Sequence, residues 1–208
     1  MMLDCDLKFR RLYNVFRQII TAGLVCAASP FLASFAYADG EFFQFDFSET
    51  TSTGTVSIAR GPLTYGANAV AYAGGRTYGL SATYQLPVAS QFATLRLGPS
   101  IGYVEEDGTD ETFEAGLKFV AERYIPTDFG SIFLLADLNS IDTSWFVLAQ
   151  LGLAHPGIVV EVSRGESNTY SETSIAVTKK LGDSPANLRV GYRLDAEELF
   201  LGFSFNTF

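Results

Sequence analysis

The sequence FEAGLKFVAE, residues 113–122, alternates strictly between two kinds of side chain. Its odd-numbered positions are all apolar, whereas its even-numbered positions are charged or small, except for Val120. A period of two is typical of a β-strand, because successive side chains point to opposite faces of the sheet. The same alternation recurs in residues 93–101 and 188–195. These patterns predict strands with one apolar face and one polar or small-residue face.

Turn residues divide the rest of the chain into further segments of the same kind. Prolines at positions 62, 87, 126, 156 and 185 mark one set of connections, and acidic or hydroxyl-rich stretches mark the connections between them. Alternate turns of an antiparallel meander lie at the same end of the sheet, so these prolines and both chain ends are predicted to share one end. Twelve strands are predicted, with ten or eight as alternatives. The twelve cover 42–48, 53–60, 64–73, 76–86, 92–104, 112–124, 130–138, 143–153, 157–164, 169–181, 187–195 and 198–207.

The first 38 residues have the regions of a secretory signal peptide. Four basic residues come before position 18, a short apolar stretch spans 19–28, and Ala36 and Ala38 are the small residues that signal peptidase accepts. Cleavage is predicted after Ala38, which leaves residues 39–208 as one domain. Lipidation at Cys26 is disfavoured, because Val25 stands where that processing needs a small residue.

The composition of residues 39–208 argues against several classes of function. Both cysteines, Cys5 and Cys26, belong to the leader, so no disulfide, thiol nucleophile or cysteine metal site is expected. Outside the leader, ten Lys and Arg residues stand against twenty-one Asp and Glu residues. Nucleic acid is not an expected partner, because phosphate binding needs clustered basic residues.

An antiparallel meander with this pattern fits either a soluble β-sandwich or a transmembrane β-barrel. The polar faces are rich in small residues and the connections differ between the two ends, as in a barrel inserted from the periplasm. A sheet in hydrocarbon must close on itself, because unpaired backbone groups there cost several kcal/mol each. We therefore predict an all-β, single up-and-down transmembrane barrel whose charged side chains face the lumen. The candidate lumen-lining residues are Arg96, Glu114, Lys118, Glu122, Asp137, Glu161, Arg189 and Arg193.

The last strand carries a candidate membrane-insertion signal formed by Phe203, Phe205 and Phe208. A terminal phenylalanine on an amphipathic last strand resembles the C-terminal signal of bacterial outer-membrane β-barrels, which their assembly machinery recognises. Phe208 is out of phase with the other two phenylalanines, and a bulge near Asn206 would restore the phase. The resemblance implies an outer-membrane location, with membrane lipid, lipopolysaccharide and the barrel-assembly machinery as partners.

Catalytic and metal chemistry is not expected from this chain. The one histidine, His155, lies in a predicted turn rather than on a strand beside a nucleophile. Residues 105–111 hold five carboxylates but lack the spacing of a calcium-binding loop, so a solvated loop is the preferred interpretation. We predict no cofactor and no metal ion.

The sequence favours a non-enzymatic outer-membrane barrel that acts as a narrow passive channel for small solutes. Twelve strands enclose more space than the eight of the smallest barrels. The mixed charge predicted for the lumen implies weak ion selectivity. The alternatives are a closed structural or surface-interaction barrel without conductance and a soluble periplasmic β-sandwich.

Overall fold

The computed structural model describes residues 39–88, 91–106, 111–168 and 170–208. The predicted leader, its cleavage after Ala38 and the question of lipidation at Cys26 lie outside these residues. So does the middle of the acidic stretch 105–111. Twelve strands make up most of the described chain: β1 Gly40–Phe47, β2 Ser52–Arg60, β3 Leu63–Tyr72, β4 Gly75–Gln85, β5 Thr94–Glu106, β6 Thr112–Thr127, β7 Gly130–Asn139, β8 Ser144–Leu153, β9 Ile158–Glu166, β10 Ser171–Lys180, β11 Ala186–Arg193 and β12 Glu198–Asn206.

The strands form one closed barrel in which every strand pairs antiparallel with its neighbours in sequence. The barrel closes between β1 and β12, whose register runs from Phe42 opposite Asn206 to Phe47 opposite Leu201. The prediction of a twelve-stranded up-and-down barrel is confirmed, and the predicted strand bounds differ from the observed ones by at most three residues. The alternative architecture, a sandwich of two sheets, is wrong.

The two ends of the barrel have different connections. The connections after β2, β4, β6, β8 and β10 form one end together with both ends of the barrel domain, and we call it the proline end. The connections after the odd-numbered strands form the acidic end. Four of the five turn prolines lie in proline-end connections, while Pro126 is the penultimate residue of β6, which finishes at the same end. The predicted segregation of turn types is therefore observed.

On most strands the two faces of the sheet have the composition that the alternation predicted. On β7 and β8, by contrast, four inward positions are apolar: Phe133, Leu135, Phe146 and Leu148. Large apolar side chains on the outer face are unusually exposed, among them Leu117 at 60 % and Leu199 at 70 %. Charged side chains such as Asp46, Glu161 and Arg189 are instead buried inside the barrel. Within the described ranges, no helix is long and apolar enough to cross a bilayer.

Aromatic side chains flank the closure of the barrel on its outer face. Phe43 and Phe205 meet edge to face with ring centroids 6.1 Å apart, and Phe45 lies 5.2 Å from Phe203. The backbone N–H of Thr207 donates to the carbonyl of Glu41, so the β1–β12 register continues past Asn206 without a bulge. The bulge that would bring Phe208 into phase is absent at this position. The Phe208 ring lies against Gly40 instead.

Candidate functional site

The lumen of the barrel has two unlike walls. We call the inward faces of β9–β12, together with Asp46 of β1, the buried wall, and the inward faces of β2–β4 the open wall. The register of strand pairing gives the inward positions of every strand, since residues directly opposite each other in neighbouring strands lie on the same face of the sheet. Asp46, for example, faces Gly202 on one side and Thr53 on the other.

Arg189 is the centre of the buried wall. Its guanidinium donates to Asp46 of β1 through Nε at 3.0 Å, and to Glu161 of β9 through Nη2 at 3.0 Å. Three strands separate β1 from β9 around the barrel wall. Each ion pair bridges one intervening strand, so together they form a chord from β1 to β9 along the inner face of β10–β12. The side chains of all three residues are at most 7 % exposed.

Neighbouring polar side chains complete the hydrogen bonding of this cluster. Gln44 donates to Asp46 at 2.9 Å, Gln150 donates to Glu161 at 2.7 Å, and Arg189 donates to the Thr178 hydroxyl at 3.2 Å. A buried ion pair needs such additional partners, because desolvation of the charges otherwise outweighs their attraction. The cluster links side chains of β1, β8, β9, β10 and β11 along the inner face of the barrel without any disulfide.

Arg193, four residues further along β11, has a different environment. Its Nη1 lies 3.6 Å from Oε1 of Glu198, and among the described residues this buried nitrogen has no hydrogen-bond partner. Glu198 instead accepts hydrogen bonds from the Ser48 hydroxyl at 2.6 Å and from the Thr50 backbone N–H at 3.0 Å. Glu198 therefore anchors the β1–β2 connection more closely than it pairs with Arg193.

The buried ring of Phe200 connects the two arginines of β11. The guanidinium carbon of Arg189 lies 5.9 Å from the ring centroid and that of Arg193 lies 5.5 Å from it. Both distances are in the range of cation–π attraction. Phe200 is 3 % exposed. This part of the lumen is consequently filled by side chains.

Two further ion pairs lie on the inward faces of β5, β6 and β7. Arg96 lies 2.6 Å from Glu122, and Lys118 lies 2.7 Å from Asp137. Their side chains are 14–25 % exposed, so solvent reaches them more than it reaches Arg189. These pairs belong to neither named wall and occupy the side of the lumen between the two.

All eight charged residues proposed from the sequence lie on inward faces of the barrel. The structure brings six of them together in the pairs Arg189–Glu161, Arg96–Glu122 and Lys118–Asp137. Arg193 lies apart from these pairs, and Glu114 is exposed near the acidic end. Whether any of them lines a passage stays a prediction.

Sequence reasoning missed Asp46, although a signal for it exists. Residues 43–47 alternate between phenylalanine and a polar residue, with Gln44 and Asp46 in the polar phase. That phase marks Asp46 as inward, but it does not show which strand supplies its partner.

In the open wall, no inward position of β2, β3 or β4 carries a charged side chain, and all residues of these three strands are described. Thr55 of β2 and Asn68 of β3 lie directly opposite each other near mid-strand, and both are exposed although they face inward. Asn68 in turn lies opposite Gly79 of β4, where an added side chain would collide with the Asn68 amide. The inward positions of the wall are Thr53, Thr55, Ser57, Ala59, Thr64, Gly66, Asn68, Val70, Tyr72, Gly75, Thr77, Gly79, Ser81, Thr83 and Gln85.

Residues 140–143, between β7 and β8, turn into the lumen at the acidic end, and we call them the inward segment. Ile141 is 8 % exposed and lies over two inward glycines. A Cβ at Gly116 would lie 2.7 Å from Ile141 Cγ1, and a Cβ at Gly102 would lie 3.1 Å from its Cγ2. Both glycines are therefore needed for this close approach.

Hydrogen bonds fix the inward segment to the barrel wall. The Ser140 N–H donates to the Leu117 carbonyl and the Ser140 hydroxyl accepts from the Leu117 N–H, both at 2.9 Å. Asn139 accepts from the Ser100 hydroxyl and from the Ile141 N–H. Asp142 and Thr143 adopt φ values of 51° and 47°, a left-handed conformation that costs energy for residues other than glycine.

The inward segment also contacts the β9–β10 connection. The Asn168 N–H donates to the Asp142 carbonyl at 3.1 Å. In the same connection, Tyr170 stacks on Tyr72 with ring centroids 6.4 Å apart. Burial raises the pKa of Tyr170 to about 12, so its hydroxyl stays neutral at physiological pH. The acidic end of the barrel is thus partly covered by ordered connections.

The remaining features lie outside the lumen. A groove of about 490 Å³ follows the outer face of β6–β9, where Ala121, Ala136 and Ala149 leave space between larger side chains. His155 is exposed in the β8–β9 turn at the proline end. Within the described part of the chain, no group of three or more His, Cys, Asp or Glu residues is placed to hold a metal ion.

Comparison with known proteins finds a similar solved structure. No protein-family model and no curated protein matches the chain. A KdgM porin resembles it with a TM-score of 0.46 and 11 % sequence identity, over 81 % of this chain and 99 % of that one.

Proposed function

We propose that this protein is a bacterial outer-membrane β-barrel that forms a narrow passive channel for small solutes. The observation that carries the proposal is the exposure of Thr55 and Asn68 on the inner face of a closed barrel, near the middle of their strands. Water reaches this part of the lumen although the buried wall, which adjoins it at β1, is filled. A water-accessible polar lumen is what a solute needs to cross a bilayer.

The outer surface supports a location within a membrane. Apolar side chains are exposed around the barrel, including Leu201 at 67 % and Phe113 at 67 %. Patches of this extent are rare on soluble monomers. Outward ion pairs lie at the ends of the strands instead: Glu41 with Arg60 at the proline end, and Arg76 with Glu105 at the acidic end. Near the bilayer midplane an outward Arg or Lys would cost about 2–4 kcal/mol.

The leader predicted from the sequence supports export to the outer membrane of a Gram-negative cell. In that membrane the acidic end would face outward, because barrels inserted from the periplasm keep their short turns and termini on the periplasmic side. Membrane lipid, lipopolysaccharide and the barrel-assembly machinery are the partners that accompany this proposal. An exposed turn histidine gives no support to catalysis, so the proposed channel is non-enzymatic.

A closed structural barrel is the second candidate. The chord of ion pairs through Arg189 and the inward segment over Gly102 and Gly116 both reduce the free cross-section. If the two together block the lumen, the protein would serve as a structural or surface-interaction barrel without conducting.

Single-channel recording separates the two candidates. The barrel is purified from outer membranes and its folded state is checked by comparing the gel mobility of boiled and unboiled samples. We expect stepwise conductance when the folded protein is added to a planar bilayer. Folded, membrane-inserted protein that gives no conductance steps would refute the channel and favour the structural barrel.

A further inference from the structure

The open wall differs chemically from every other part of the lumen. Its inward side chains offer hydroxyl groups, two exposed amides (Asn68 and Gln85) and glycine backbone, and none of them ionises near neutral pH. Hydroxyl and amide groups both donate and accept hydrogen bonds. A solute rich in hydroxyl groups can exchange hydrogen bonds with such a wall without leaving a charge unpaired.

The charged residues of the lumen are directed away from this wall. Arg189 donates to Asp46 and Glu161, and Arg96 and Lys118 each lie within 2.7 Å of a carboxylate. A cation engaged in this way offers little attraction to a passing anion, because its donors and its charge are already matched. Among the described residues, Arg193 keeps one guanidinium nitrogen without a hydrogen-bond partner but is only 4 % exposed, and Lys180 faces inward on β10 at the proline end, away from the open wall. Within the same described part of the chain, the lumen therefore has no row of available basic groups beside the open wall.

The acidic end adds an electrostatic barrier to anions. Carboxylates dominate its described connections and the strand positions beside them, whereas basic side chains there are few. Like charges grouped around an entrance lower the local concentration of ions of the same sign. The carboxylates are Glu49, Glu105, Glu106, Glu111, Glu114, Asp142, Glu166, Glu172, Asp195, Glu197 and Glu198.

We infer that the channel serves small uncharged polyhydroxy solutes, such as monosaccharides and sugar alcohols, which pass along the open wall past Thr55 and Asn68. This inference rests on the proposed channel function and deepens it by naming the solute class and the path. Anionic solutes of the same size are disfavoured twice, by the acidic entrance and by the lack of available cations beside the open wall among the described residues.

Liposome swelling tests the solute class. Vesicles that contain the full, folded barrel are diluted into iso-osmotic solutions of a neutral hexose or of the sodium salt of the matching sugar acid. We expect swelling to be several-fold faster with the neutral sugar. Equal or faster swelling with the sugar acid would overturn the inference while leaving the channel itself intact. No swelling with either solute, together with no conductance, would refute the channel function instead.

Charge substitutions at Asn68 test the path. Under a potassium chloride gradient, Asn68→Asp should shift the reversal potential towards cation selectivity, and Asn68→Lys should shift it towards anion selectivity. Asn68→Gln is the matched charge-neutral variant: it keeps the amide, so it separates the effect of an added charge on the reversal potential from that of side-chain size. Conducting Asp and Lys variants with the parental reversal potential would overturn the inferred path.

The same pair of changes at Thr55 provides an independent measurement on the neighbouring strand. Thr55 lies directly opposite Asn68, so Thr55→Asp and Thr55→Lys should shift the reversal potential in the same two directions. Thr55→Ser is the neutral control. These variants keep the inference testable if an Asn68 variant fails to give the heat-modifiable folded form.

Discussion

The buried wall and the open wall belong to the same barrel, yet their polar side chains differ in exposure to solvent. On β11, Arg189 is 5 % exposed and its donors are matched by carboxylates from two other strands. On β3, Asn68 faces the same lumen and remains exposed. The difference indicates a division of labour, in which one side of the lumen holds the barrel together and the other leaves space for water.

This division has an energetic reason. A thin-walled barrel has no apolar core, and few apolar side chains within the described chain are buried. Charged groups inside the lumen can replace such a core only if every charge is satisfied, since an unpaired buried charge is strongly destabilising. The cluster around Arg189 meets this condition, and the open wall carries no charged side chain on its inward face.

The largest predicted effect comes from breaking the chord of the buried wall. Arg189→Met removes the cation and leaves Asp46 and Glu161 as two buried carboxylates whose charges are no longer neutralised, although the Gln44 and Gln150 amides still donate to them. We expect the free energy of unfolding to fall by about 3–5 kcal/mol. The measurement is urea unfolding of the folded barrel in detergent or lipid vesicles.

The matched control for this change is Arg60→Met. Arg60 pairs with Glu41, but both side chains are about two-fifths exposed at the proline end. An exposed ion pair contributes about 0–1 kcal/mol. Equal losses for the Arg189 and Arg60 variants would show that burial in the lumen adds no stability.

The next effect concerns the inward segment, which lies between the two walls at the acidic end. Ile141→Ala removes the side chain that lies over Gly102 and Gly116. Truncation of a buried isoleucine destabilises by about 2–5 kcal/mol, and the partly open surroundings here favour the low end. We also expect a larger single-channel conductance, because the segment narrows the proposed passage.

Leu138→Ala serves as the control for Ile141→Ala. Leu138 lies three residues earlier in the chain, on the outer face, and is half exposed. Its truncation should leave conductance unchanged. If both variants conduct like the parent, the inward segment does not bound the passage.

The architecture could be predicted because it depends on patterns between residues that are close together in the sequence. Period-two alternation gives the strands and faces, and the proline and acidic connections give the two ends, so the strand order follows from an antiparallel meander. The sequence also showed that Phe208 is out of phase with Phe203 and Phe205. The structure has no bulge that would bring the three side chains onto one face.

The contacts within the lumen could not be predicted in the same way. Asp46 meets Arg189 over a sequence separation of 143 residues, and that encounter depends on how the closed barrel is staggered. The position of the inward segment in the lumen could not be predicted either, because the sequence of residues 139–142 is typical of an ordinary connection between strands. Only the register brings Gly102 and Gly116 beneath Ile141.

The smallest predicted effect compares the two arginines of β11. Arg193→Met should cost about 1 kcal/mol, far less than Arg189→Met, although both guanidiniums are equally buried. Glu198 would keep its hydrogen bonds from Ser48 and Thr50, so its charge would not be left unsatisfied. The loss is then mainly the cation–π contact with Phe200, which contributes about 0.5–2 kcal/mol. Urea unfolding of the two variants side by side measures the difference. A loss for Arg193→Met as large as that for Arg189→Met would mean that Arg193 and Glu198 pair more closely in the membrane than their 3.6 Å separation indicates.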